Sequence, residues 1–458
     1  MKKPVLIVSA CLILLASGAP LPSCTSGSTG KQKDTGEKVR HTVKELQADF
    51  KQFRKFLEDS HPKLYRFTPR KTFDSLFEAN YLMIDHPMTT QEFYRILIPL
   101  VARVGCGHTS LWTPDGYWDW APQRMFPLGI HAREGQLFVI HSYNQEFPVT
   151  YGSRIVSVNG INTENLVDEM LDNIWSDGFI MSKRYRRLNN VFPYLYALNY
   201  GYSEVFEIKV QEEGRERMFK INPVPRLVLT AYRDSLVASG TIRREDLIME
   251  LKDELTALLT IRTFAYYDDN KGFNRFIDSS FQVINERNIK HLIIDLRGND
   301  GGDPFCSTHL LSYLQKKPVI YFREPYGRYA RLNKPLPMAE NPFKGSQYYL
   351  IDGMCFSTTG HITSLLNYYG LGTFIGEETG ATYSCNDASH DTKLKHTGYR
   401  LQSARGTFAT AVIGFPFDQG ILPEHPVRQS VDEVIRNHDA VLEYTLELIN
   451  KKMPYDKI

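Results

Sequence analysis

The chain has 458 residues, and a hydrophobic share of 42% against 23% charged residues provides a sizeable core and excludes wholesale disorder. A formal net charge of +2, with no sustained basic run in the body of the chain, argues against a nucleic-acid binder. At roughly 100–200 residues per domain, this length predicts about two to four domains.

Lys2 and Lys3 precede an apolar stretch, Val5 to Leu15, that is far shorter than the ~20 residues a membrane-spanning helix needs. Residues 1–23 therefore read as a secretory signal. The end of that segment, Leu21-Pro22-Ser23-Cys24, resembles the bacterial lipoprotein box. The resemblance implies lipidation of Cys24 and an exported, membrane-anchored cell-envelope protein. Ordinary cleavage near Ala16-Ser17-Gly18 is the alternative. Residues 24–39, rich in Ser, Thr, Gly and Lys, read as a tether. Beyond Cys11 and Cys24 the cysteines are Cys106, Cys306, Cys355 and Cys385. They show no CxxC spacing, so no metal or other cofactor is expected, and the spacing leaves disulfides open.

Residues 40–118 read as a helical domain. Leu46, Phe50, Phe53 and Leu57 recur at helical spacing, and Thr89-Thr90-Gln91-Glu92 fits a capping box ahead of a second helix. That helix runs out at Gly105, and a turn carrying His108 follows. Residues 120–225 switch to short strands, among them Leu137–Ile140 and Arg154–Val158. Gly152 to Gly160 resembles a PDZ-domain strand, with Ser153 in place of the usual Asp; a plain hairpin is the alternative. Within this PDZ-like β-rich module, Phe126–Ile130 is the candidate carboxylate-binding loop. Trp112, Trp118 and Trp120 are expected to pack between domains. From 226 to 458, strands and helices alternate, which predicts an α/β layer.

Two segments of that layer carry the chemistry. In Asp295-Leu296-Arg297-Gly298-Asn299-Asp300-Gly301-Gly302 a buried strand runs into paired glycines and then a helix. Glycines admit close backbone approach, and a helix start offers free N–H groups, so the segment fits an oxyanion hole. In Tyr348 to Gly360 a strand again gives way to a helix, with Ser357 at the turn. Ser357 is either the helix N-cap or a nucleophile.

Together these segments, followed by Gly376-Glu377-Glu378-Thr379-Gly380, resemble the C-terminal processing (tail-specific) serine peptidases and their tricorn-core relatives. The resemblance implies a crotonase/ClpP-like α/β catalytic layer beside the PDZ-like module and the N-terminal helical domain. It implies Ser357 as nucleophile, with N–H groups of Thr358 and of Gly301 or Gly302 on the oxyanion. The lysine base of the processing branch falls on Thr382. His108, in Gly107-His108-Thr109, stands where the tricorn-like branch places its histidine base, although Gly107 replaces the accessory serine of that branch. Asp418 is the candidate third member, one position nearer the following glycine than the pattern. The expected substrate is a peptide or protein tail outside the cytoplasm. The rival reading is a non-catalytic relative that binds peptides or small apolar ligands. The oligomeric state is left open.

Overall fold

The strands that read as unbroken apolar runs are the ones covered on both faces. In a computed structural model that describes residues 40–144, 149–239, 243, 245–387 and 389–452, Thr256–Ile261, His291–Asp295, Ser346–Ile351 and Thr373–Gly376 lie side by side in parallel. Parallel pairing requires crossovers that put helices on the sheet, so period-two alternation disappears from such strands. Leu247–Leu251 adds an antiparallel edge and His425–Pro426 a short parallel one, completing six strands.

Side chains divide between two cores. Ala257, Leu259 and Ile294 face helices Asn270–Glu286, Pro304–Leu314 and Thr358–Tyr368 through Phe281, Leu310 and Ile362. Leu258, Ile293 and Leu350 point the other way, onto Val441 and Ile449 of helix Ala440–Lys452. This is the α/β layer that the alternation predicts. Because the strands are parallel neighbours, the loops after Asp295, Ile351 and Gly376 leave the same edge of the sheet, which is where open α/β sheets place their sites.

Helices Val43–Ser60, Arg70–Leu82 and Thr90–Arg103 form the N-terminal helical unit. The capping box expected at Thr89 is present: the Glu92 N–H donates to Thr89 Oγ1 at 3.2 Å and the Thr89 N–H to Glu92 Oε2 at 2.7 Å. Thr89→Ala is expected to lower stability by about 1 kcal/mol. Urea unfolding should show it as a lower midpoint with an unchanged slope.

A hairpin from the far end of the chain completes this unit. His390–Lys393 and Arg400–Ser403 pair with each other and then with Ser110–Trp112. Leu394, Tyr399 and Leu401 sit in the helical core, and buried Asp49 accepts the N–H groups of His396 and Thr397 at 3.0 and 2.7 Å. A sequential division at residue 226 assigns this hairpin to the α/β layer, because nothing local marks a partner nearly three hundred residues away.

Between them, Leu128–Arg133, Gln136–Ser142, Arg154–Val158, Phe206–Glu212 and Arg215–Ile221 form an antiparallel sheet, with Ile161–Asn162 paired to Arg154–Val158. Asn159 and Gly160 have φ of 49° and 79° and turn one strand into the next, the two-residue Asn-Gly hairpin that requires positive φ at both positions. Helices Thr163–Asp172 and Met181–Tyr200 cover the sheet. Phe126–Ile130 is not an open loop. From Leu128 on it is paired with Gln136–Ser142, Phe126 is buried among Phe192, Tyr196 and Phe206, and Pro127 has no N–H to offer. Trp112 packs on Trp175 and Trp118 on Tyr194, joining the helical unit to this module.

The signal at 1–23, Cys24 and the tether at 24–39 lie outside the described residues. Among the described residues, no helix is long and apolar enough to cross a membrane, and no His/Cys/Asp/Glu group is arranged to hold a metal ion. Cys106, Cys306, Cys355 and Cys385 are buried free thiols.

Candidate active site

Each residue of the segment after Asp295 has a physical task. The Asp295 carboxylate takes the Arg297 guanidinium at 2.9 Å and the Arg297 N–H at 3.0 Å, while Arg297 also grips Asp439 at 2.7 Å. Asn299 staples the loop to the serine turn. Its carbonyl accepts the Phe356 N–H at 3.1 Å, and its Oδ1 accepts the Gly301 N–H at 3.0 Å and Thr359 Oγ1–H at 2.8 Å. Asp352 ties the two loops together by accepting the N–H groups of Gly298 and Met354 at 3.0 and 2.9 Å. Gly301, at φ 103°, lies directly on the serine: a Cβ there would stand 2.7 Å from Ser357 Cβ.

Ser357 occupies the N-cap position of helix Thr358–Tyr368 with φ 54° and ψ −122°. A non-glycine residue so placed costs on the order of 1–3 kcal/mol and persists only where its surroundings over-determine it. Its hydroxyl makes no capping bond to the helix. Ser357 Oγ lies instead 3.1 Å from His108 Nε2. The N-cap alternative is thus met in backbone position but not in hydrogen bonding.

His108 reaches the serine from the turn after helix Thr90–Arg103, and its ring stacks on Phe356 at 4.6 Å between centroids. The same ring explains Gly107, since a Cβ at that position would lie 2.4 Å from Phe356 Cζ. The space that a serine side chain would fill is taken by the residue before Ser357. The turn is also held from the β-rich module: the Gly178 N–H donates to the Gly105 carbonyl at 2.9 Å, and the Gly107 N–H to Asp177 Oδ1 at 2.7 Å.

The candidate oxyanion donors differ in their hydrogen bonding. The Gly301 N–H is engaged by Asn299 Oδ1. Among the described residues, no acceptor takes the N–H of Gly302 or of Thr358. Thr358 Oγ1 donates to the Gly302 carbonyl at 2.5 Å and holds these two residues together. Gly302 must be glycine for another reason, because a Cβ there would stand 2.1 Å from the Phe264 carbonyl carbon.

Asp418 makes no bond to the imidazole among the described residues. Its backbone lies against Gly178. The acidic groups nearer His108 are Asp387, with Oδ1 3.7 Å from Nε2, and Asp177 below the turn. Thr382, where the processing branch has lysine, is fully buried and donates to the Ser384 carbonyl at 2.8 Å. Lys393 pairs with Asp115 on the surface at 3.0 Å.

A different lysine does approach. Lys183, on helix Met181–Tyr200, sits over the Phe356 ring and reaches Asp300 Oδ1 at 3.0 Å. Burial lowers its pKa, and Asp300 opposes that shift. No motif announces Lys183 or Asp177, because both come from a module whose residues meet the site only in three dimensions. A buried pair, His361 Nε2 and Cys385 Sγ at 3.3 Å, lies beside the serine. Burial pushes His361 down to about 4 and the Cys385 thiol up, so both are neutral near pH 7 and the thiol is unreactive.

A strained serine on a strand-to-helix turn, a histidine at hydrogen-bond distance and two free N–H groups beside the hydroxyl define a serine-hydrolase type of site. Residues 256–423 match the sequence model of peptidase family S41, and over this segment the chain is similar to that family of peptidases. No curated protein matches the chain. Among solved structures, mature CPAF is similar at 12% identity and a TM-score of 0.62, over 90% of this chain and 98% of that one. Mature CPAF complexed with lactacystin is similar at 12% identity and 0.60, over 90% and 99%. At these identities the likeness shows a shared fold.

Proposed function

We propose that the chain is an exported, lipid-anchored serine peptidase that cleaves peptides or protein tails outside the cytoplasm with Ser357 as nucleophile and His108 as general base. The observation that carries this reading is the 3.1 Å contact between His108 Nε2 and the Ser357 hydroxyl, which leaves its helix uncapped. His108 takes the hydroxyl proton as Oγ attacks the scissile carbonyl. The N–H groups of Thr358 and Gly302 receive the oxyanion. His108 then delivers the proton to the leaving amine, and water hydrolyses the acyl-enzyme with His108 again as base.

A fluorophosphonate probe tests the site directly. Wild type is expected to label, Ser357→Ala not at all, and His108→Ala more slowly by a factor on the order of 10³. A wild-type chain that neither labels nor hydrolyses a peptide library would favour the non-catalytic reading. The anchor rests on the lipoprotein-box sequence ending at Cys24. Labelled palmitate should enter the protein in a bacterial host and be lost in Cys24→Ser; equal incorporation in both would refute lipidation there.

A further inference from the structure

We infer that Asp177, contributed by the β-rich module, is the positioning residue of the site: it receives the His108 Nδ1–H when the site is at work and thereby leaves Nε2 free to take the serine proton. The inference rests on the Ser357–His108 reading and supplies its third member.

Two buried polar atoms lack partners at the same place. For Nε2 to accept from the Ser357 hydroxyl, the neutral imidazole must carry its proton on Nδ1. That nitrogen is buried and unpaired, which is costly for a donor. Asp177 Oδ2 is likewise buried and unpaired, while its sister atom Oδ1 accepts the Gly107 N–H at 2.7 Å. The Asp177 carboxylate is thus bonded to the residue that precedes His108, which brings the group with the lone acceptor to the turn that carries the lone donor. In this arrangement they are not hydrogen-bonded to each other, as is common before substrate binds, and the inferred pair closes when the site is at work. Burial raises the Asp177 pKa, and the charge of His108 is the strongest influence opposing that rise. The two groups therefore interact most when the imidazole becomes charged during attack.

The other carboxylates fit less well. Asp387 lies near Nε2, the nitrogen that must stay free for the serine proton, and it is 41% exposed. Asp418 meets this loop through its backbone at Gly178.

Asp177→Asn decides the matter, because the amide oxygen can keep the Gly107 bond while an NH₂ donor replaces Oδ2. A donor facing Nδ1 forces the proton onto Nε2, where it blocks proton transfer from Ser357. The expected result is a fall in kcat on the order of 10³-fold with KM nearly unchanged, slower fluorophosphonate labelling and an unaltered melting temperature. Nitrogen NMR of ring-labelled histidine, assigned with His108→Ala, should show the His108 proton moving from Nδ1 to Nε2. Asp177→Asn within threefold of wild-type kcat, while Ser357→Ala and His108→Ala are inactive, overturns this inference alone. So does an Asp177→Asn chain that fails to fold, since the role would then be structural. Loss confined to Asp418→Asn or Asp387→Asn would also overturn it. Full activity in Ser357→Ala would overturn the underlying reading instead.

Discussion

Gly301→Ala is expected to lower kcat/KM by about 10²- to 10³-fold, the loss seen when an oxyanion hole is disrupted. The added methyl would meet Ser357 Cβ at 2.7 Å, the Phe356 carbonyl oxygen at 2.8 Å and the Thr358 nitrogen at 3.0 Å. All three belong to the turn that presents the Ser357 hydroxyl and the Thr358 N–H, so relief of the clash must displace one of them. Alanine is also strained at φ 103°. The fold should survive, at a cost on the order of 1–3 kcal/mol. Steady-state kinetics beside a thermal melt separates the two effects. Near-wild-type kcat/KM would mean that the loop moves freely away from Ser357, and that the tight packing has no part in activity.

Arg297→Leu should show the largest loss of stability, about 3–5 kcal/mol, because it takes from the buried Asp295 carboxylate the cation that bonds both of its oxygens and leaves it Arg262 at 3.2 Å. Burial alone pushes the Asp295 carboxyl up, but Arg297 and Arg262 outweigh it and hold the group well below the usual carboxylate range. Burial also raises Asp439, and Arg297 more than reverses that shift. A carboxylate with a depressed folded-state pKa adds stability above its unfolded value of about 3.9 and loses it as pH falls toward the folded value. The gap between wild type and Arg297→Leu should therefore be full near neutral pH and narrow below about pH 4. Urea midpoints at a series of pH values check this. A gap independent of pH would assign the cost to lost packing rather than to charge.

Arg297 also shows what local sequence conveys. The Asp295–Arg297 pairing, the Asn299 staple and the two glycines act within one loop or between adjacent loops of parallel strands. Their identities and spacing are therefore written contiguously. The same holds for the capping box at Thr89 and the Asn159-Gly160 turn, where each residue type follows from a backbone demand a few residues away. The helices Arg70–Leu82 and Met181–Tyr200 are less legible. The second contains Pro193 and a non-helical Val191, and both helices owe their place to packing against other units.

The candidate site divides along the same line. The serine turn, the glycine loop and the α/β layer can be read from the residues alone, because Ser357 and the glycine loop sit on consecutive loops at one sheet edge. The sequence also pointed to His108 once Thr382 stood in the lysine position. Which N–H groups remain free depends on the folded chain: one bond to Asn299 engages Gly301 and turns the proposed choice toward Gly302. Only the structure brought Asp177 and Lys183 beside the Ser357 turn and left Asp418 without a bond to His108. Those residues belong to separate chain segments that meet by burying each other's apolar faces. Such meetings depend on the packing of whole units, and no short stretch of sequence carries that information.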